Sequence, residues 1–273
     1  MSVLNRPYFL GEKAAHSFLE SILWPDGAEC PHCGVVGAAY KIEANPAKRI
    51  RYGLWKCREC RKQFTVKVGT VFEHARLPLH KALQAAYLLC SSKKGISANQ
   101  LSRALEISLK AAWFLSHRVR EAMRELHPTD LLGGESKTVE FDETFIGGKE
   151  KNKHAWQRDK KNIGGRGKEA VFSLVERNGK VRSHHVPSVT GQTLRPILEA
   201  QIAADTRTMS DDGGARIGHG RPNHQSVNHG IGEYVRGDAH TNTIEGYFSI
   251  MKRGVIGVYH HVSPQHLKRY LAE

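Results

Sequence analysis

Four cysteines constrain this chain more than any other feature. Cys30-Pro31-His32-Cys33 and Cys57-Arg58-Glu59-Cys60 are two Cys-x-x-Cys turns with 23 residues between the pairs. Each turn brings two sulfurs to one point, and four thiolates close a tetrahedral zinc site. No strand–helix–strand pattern separates the pairs, so structural zinc is favoured over redox chemistry. His32 would make a fifth ligand and is expected at the surface. Strand-forming runs at 40–42, 51–57 and 64–68 complete a zinc ribbon whose small core depends on its metal. This module, with an N-terminal extension, spans residues 1–75. A fifth cysteine, Cys90, lies in an apolar run and reads as a small core residue.

Charge narrows the partner. The 273 residues carry 41 Lys and Arg against 27 Asp and Glu, a net +14. The excess is spread over the whole length, which suits a polyanion, and double-stranded DNA is the expected one. In the ribbon, Lys48, Arg49, Arg51, Lys56, Arg58, Arg61 and Lys62 form a basic cluster, available for phosphate contact or simply solvated. No run approaches 18 apolar residues, and no signal-peptide pattern opens the chain. A cytoplasmic, nucleoid-associated protein without membrane contact is therefore expected.

Residues 76–130 read as helical. The run 79–90 is largely apolar, and Gly95 ends the segment. Ser97 to Gln100 form a capping box opening a short helix, and Ser108 caps a longer one over 109–125. Two helices joined by Glu106-Ile107 resemble a helix-turn-helix. In that arrangement Lys110, Trp113 and His117 are candidate major-groove contacts. A plain helical linker is the alternative reading.

The third module, 138–273, opens with TVEFDETFIGGK. Its β-formers predict a strand, and the two-residue period sets Glu140 and Asp142 on one face, Val139 and Phe141 on the other. Asp142 is either the first ligand of a divalent cation or a solvent-facing edge residue. Residues 147–169 hold eight Lys and Arg against three acids, with five glycines, and read as a mobile basic loop ordered by DNA. Strands are predicted at 170–175 and 181–186, joined by Asn178-Gly179. A helix follows within 190–204, with Thr193 as cap because Pro196 belongs in a first turn. A strand at 206–210 then delivers Asp211 and Asp212 to its C-terminal end. Residues 213–237 look irregular, and His219, His224 and His229 lack metal-ligand spacing. A helix over 244–253 carries Glu245 in its first turn.

A strand-strand-strand-helix-strand order with acids on the first strand, the fourth strand and a late helix describes a ribonuclease-H-like α/β fold. The motifs CPHC, CREC, VEFDETFIGGK, SDD and GDAHTNTIEGYFSIMKRGVIGVYHHVSPQHLKRYL resemble those of bacterial insertion-sequence transposases of the ISXO-like group, over essentially the whole chain. The resemblance implies a DDE enzyme that binds terminal inverted repeats, cleaves DNA strands and transfers them to a target. It implies Asp142, Asp211 and Glu245 as the metal-binding carboxylates, with Asp212 the rival second acid. Mg²⁺ or Mn²⁺ would suit this all-oxygen set. Two ions would serve both the attacking and the leaving oxygen. His240 and Asn242 would position a phosphate, and Lys252 and Arg253 would grip the backbone. Glu140 and Glu143 flank the site without a matching place in the triad. The group usually continues through an aromatic, Arg- and Asn-rich tail, so a core shortened at Glu273 is expected. Pairing of two element ends implies a homodimer or larger assembly. A non-catalytic DNA-binding relative and a metal-dependent nuclease without strand transfer are the alternatives.

Overall fold

The computed structural model describes residues 2–124, 130–161 and 164–273. The chain divides into two compact units, one of residues 1–92 and 96–122, the other of 93–95 and 123–273. The far end of the second predicted DNA-binding helix, residue 125, and the end of the helical module up to 129 lie outside the described residues.

In the first unit, helices α1 (Pro7–Leu10) and α2 (Glu12–Leu23) precede the ribbon strands β1 (Ala39–Lys41), β2 (Trp55–Cys57) and β3 (Gln63–Phe64), paired antiparallel in that order. The strands are shorter than their sequence pattern predicts. Residues 51–54 turn away at Gly53, whose φ is +76°, and any Cβ there would strike the His16 ring at 2.3 Å. Glu20 of α2 anchors the ribbon, accepting from Trp55 Nε1 at 2.9 Å and Lys41 Nζ at 2.8 Å. Trp24 packs edge-on against Trp55 and Phe64, so the metal knuckles share a small aromatic core.

Helices α3 (Leu79–Ser91), α4 (Ala98–Leu105) and α5 (Leu109–Met123) follow. Ser97 Oγ accepts from Gln100 N–H at 3.2 Å and Ser108 Oγ from Ala111 N–H at 3.2 Å, as the capping pattern predicts. Glu106, with φ +51°, turns the chain between α4 and α5. Cys90 corrects its expectation: α3 buries Leu79, Ala82, Ala85 and Leu89, and Cys90 falls off that stripe and is exposed.

In the second unit, β4 (Thr138–Ile146), β5 (Glu169–Glu176) and β6 (Val181–Val186) form an antiparallel meander. Helix α6 (Gly191–Gln201) crosses to β7 (Arg207–Ser210); a short helix α7 (Asp212–Gly218) leads to β8 (His224–Ser226). The sheet order is β6-β5-β4-β7-β8, and β7 runs parallel to both β4 and β8. A two-stranded hairpin, β9 (Val235–Arg236) and β10 (Ala239–His240), then feeds α8 (Asn242–Gly254); α9 (Pro264–Tyr270) ends the chain. Thr190, not Thr193, precedes α6, and Pro196 lies within it. The first-turn bonds from Thr193 N–H and Leu194 N–H both go to the Thr190 carbonyl, which starts the helix three residues early.

Alternation in β4 is realised on both faces. Val139 and Phe141 pack with Phe172, Leu174, Leu194, Leu198 and Ile217 on the face covered by α6 and α7. On the other face Val175 meets Ile244 and Phe248 of α8, and Ile146 and Val171 meet Leu267 of α9. Phe141 and Phe172 are fully buried, so either ring contributes roughly 1.5–3 kcal/mol by leaving water.

One titration tests the first unit. Burial opposes ionisation of Glu12, yet hydrogen bonds from His16, the backbone at Leu79 and His80, and the His80 ring outweigh it and lower the carboxyl to about 2. A depressed carboxyl stabilises the fold above its ordinary value of 4.5 and loses that contribution as pH falls toward 2. In paired urea titrations, the stability gap between wild type and Glu12→Gln should therefore narrow as pH drops through that window. A constant gap would contradict the assignment.

Candidate metal and carboxylate sites

The four ribbon cysteines converge. Cys30 Sγ lies 3.6 Å from Cys60 Sγ, and Cys33 Sγ 3.7 Å from Cys57 Sγ. A tetrahedron with bonds of about 2.3 Å has edges of about 3.8 Å, so these separations fit a single zinc ion. All four sulfurs lie within 4.8 Å of one another, and among the described residues no other group of three or more His, Cys, Asp or Glu meets as closely. His32 stays outside the set, with its ring against Phe64 and Nε2 3.4 Å from the Gln63 carbonyl. Removing zinc with a chelator should erase the near-ultraviolet dichroism of Trp24 and Trp55. Metal analysis should find about one zinc per chain before treatment, and Cys57→Ser should retain neither signal.

The carboxylates gather on the second unit's sheet. The parallel register pairs Thr138 with Arg207, Val139 with Thr208 and Glu140 with Met209. Carried two residues further, it sets Asp211 level with Asp142. Asp211 caps α7, its Oδ1 accepting from Gly214 N–H at 2.8 Å, whereas Asp212 is exposed in that helix's first turn. Burial first, then the charges of Asp211, Glu143 and Glu245, push the Asp142 carboxyl up to about 7. Burial and Asp211 also raise Glu143, whose Oε2 is buried without a hydrogen-bond partner.

Glu245 reaches this neighbourhood through a neighbour of Asp142 on the same strand. Glu140 is 0% exposed. Its Oε1 accepts from Arg177 Nε at 2.7 Å and Thr243 Oγ1 at 2.9 Å; its Oε2 accepts from Ile244 N–H at 2.9 Å. Thr241 makes no side-chain cap to α8, so a carboxylate from a distant strand serves the helix N-terminus instead. The Thr241 hydroxyl donates to Glu245 Oε1 at 3.1 Å, and His229 Nε2 lies 3.8 Å from that same oxygen. Glu245 itself remains 48% exposed, open to a ligand from solvent.

His240 joins the same network. Its Nδ1 receives Arg177 NH2 at 3.1 Å and the Asn242 N–H at 3.3 Å. Glu140 Oε1 lies 3.3 Å from the same Nδ1, which ties the ring to the buried ion pair. Asn242, Lys252 and Arg253 are exposed on α8; Lys252 Nζ lies 6.0 Å from the Phe248 ring centre, and Arg253 bonds back to Ser249. In the first unit, Lys110 and Trp113 are exposed on α5. His117 turns inward, 5% exposed and 4.3 Å from the Trp113 ring centre, so a groove contact is closed to it in this conformation. Sequence reasoning set His229 aside for want of metal-ligand spacing and passed over Arg177.

Glu140→Ala should cost about 3–5 kcal/mol in urea unfolding, because it breaks an ion pair at its fully buried end and leaves the α8 N-terminus uncapped. Glu143→Ala, which removes a repelled charge, should be neutral or stabilising. Equal losses for the two variants would remove Glu140 from this structural role.

Residues 131–273 match the family described as the ISXO2-like transposase domain, and residues 10–63 match the transposase zinc-ribbon domain. An uncharacterized protein in transposable element ISH50 of Halobacterium salinarum is 29% identical over 284 residues, covering 96% of this chain and 89% of that protein. No solved structure matches. With its four-cysteine cluster, its five-stranded mixed sheet and a family match over more than half its length, the chain belongs to the ISXO2-like transposases.

Proposed function

We propose that the protein is a DNA strand transferase that binds the terminal inverted repeats of its element, cleaves the strand ends by hydrolysis and joins them to target DNA. The observation that carries this reading is the electrostatic one: three other carboxylates act on Asp142, and its carboxyl rises to about 7. Such crowding is unfavourable unless positive charge arrives. The sheet order, an antiparallel meander extended by parallel strands, supports the ribonuclease-H-like reading.

Asp142, Asp211 and Glu245 would hold Mg²⁺ or Mn²⁺, and the donor set fits, being all oxygen, partly open and mutually repelling. Bound cations would supply activation of the attacking hydroxyl and stabilisation of the leaving oxygen. The chain's own residues orient the substrate. His240 and Asn242 are suited to a phosphate oxygen at the start of α8, while Lys252 and Arg253 suit the backbone further along. Lys110 and Trp113 are the groove candidates on α5, with the basic ribbon adding phosphate contacts. Double-stranded DNA is the partner, met by a homodimer or larger assembly in the nucleoid. Among the described residues no helix is long and apolar enough to cross a membrane.

Replacing Asp142, Asp211 or Glu245 with Ala should reduce Mg²⁺-dependent cleavage and joining of element ends by more than about a hundredfold, beyond the usual cost of losing an outer-shell partner. DNA affinity should survive, and Asp212→Ala should remain active. Mn²⁺ should raise the melting temperature of the wild type but not of the triple variant. Retained joining in a triad variant would refute the assignment. Cleavage without joining of pre-cut ends would make the protein a nuclease.

A further inference from the structure

The β4–β5 connection presents a ring that the fold does not use. Trp156 is 81% exposed, the most exposed large apolar side chain among the described residues. It sits in a short turn, Ala155–Gln157, with the His154 ring parallel to it, centres 6.3 Å apart and 10° from coplanar. The segment holds its shape by polar contacts on either side of the ring. Glu150 accepts from Lys153 and, at 3.2 Å, from Asp159 N–H; Arg158 donates to the Lys151 and Lys153 carbonyls at 2.9 Å. At its far end Gly165 lies against Phe145, where a Cβ would stand 2.6 Å from the ring. Its own charged groups organise the turn.

A lone exposed hydrophobe needs no explanation. This one stands among eight Lys and Arg in a stretch with three acids, a surface complementary to phosphate. It is also a rigid aromatic whose surface is largely open to solvent. Inside a duplex, base faces are covered by their neighbours; only an unpaired base offers one to an incoming ring. The loop leaves the sheet four residues after Asp142, about 13 Å along the strand.

We infer that Trp156 stacks on an unpaired nucleotide of the DNA, so that this loop binds single-stranded or frayed ends in preference to intact duplex. The inference rests on the DNA-binding reading of the second unit but not on its chemistry. Lys and Arg hold the strand by its phosphates, and the indole, backed by His154, takes the exposed base face. Stacking of this kind changes affinity roughly tenfold per base.

The test uses the full zinc-loaded chain and two fluorescein-labelled probes, a blunt duplex and the same duplex with an unpaired 3′ extension, compared by anisotropy at fixed salt. The wild type should favour the extended probe. Trp156→Ala should lose about tenfold on that probe and little on the blunt one, while Trp156→Phe should retain most of the preference. With 2-aminopurine in the extension, the wild type should quench its fluorescence and Trp156→Ala should not. Equal wild-type affinity for both probes, or equal weakening of both by Trp156→Ala, would overturn the proposal. A wild type that keeps the preference yet never joins ends would sink the transferase reading alone.

Discussion

The second unit depends on one buried carboxylate. Glu140 lies on the strand that carries Asp142, faces away from the larger apolar core, and is fully enclosed. An isolated charge there would be costly, but the Arg177 guanidinium and two further donors, the Thr243 hydroxyl and the Ile244 N–H, satisfy both its oxygens. The same contacts fix α8. Its first turn is tied to β4 through Thr243 and Ile244, and Glu245 follows immediately. The ion pair therefore acts as a geometric reference for the site, and Arg177 extends it to Asp238 and His240.

The cysteine cluster and the carboxylate cluster illustrate opposite solutions. In the ribbon, the four sulfurs lie within 4.8 Å of one another, and a small aromatic cluster holds them there. On the sheet, ionised oxygens repel, so the backbone does the gathering. The parallel β4–β7 register levels Asp211 with Asp142, and the Glu140 cap delivers Glu245 from the opposite side. Stability is spent there on holding like charges near one another, a state suited to recruiting cations.

The elements with strong local patterns were legible in the sequence. The cysteine spacing, the Ser97 and Ser108 caps, the Asn178-Gly179 hairpin and the alternation in 138–146 each follow from short-range rules, and the structure carries all of them. Features set by distant contacts were not legible. Helix α7 forms through two glycines because Asp211 caps it, and β8 exists because β7 offers it a parallel edge. His224, read as a loop residue, stacks on Phe141 at 5.4 Å and bonds Thr208 and Ser210. Burial lowers its pKa, which suits a neutral core ring. The role of Glu140 was invisible for the same reason: its partners lie 37 and about a hundred positions away.

The pairing pattern also orders events during synthesis. The β4–β5–β6 meander closes between near neighbours in sequence, whereas β4 must wait for β7, about seventy residues later, and for α8 beyond it. A chain emerging from the ribosome thus completes most of its sheet before Asp211 and Glu245 arrive. An unfinished chain holds Asp142 on a formed hairpin without its distant partners, so the convergence of Asp142, Asp211 and Glu245 is the final event in building this unit.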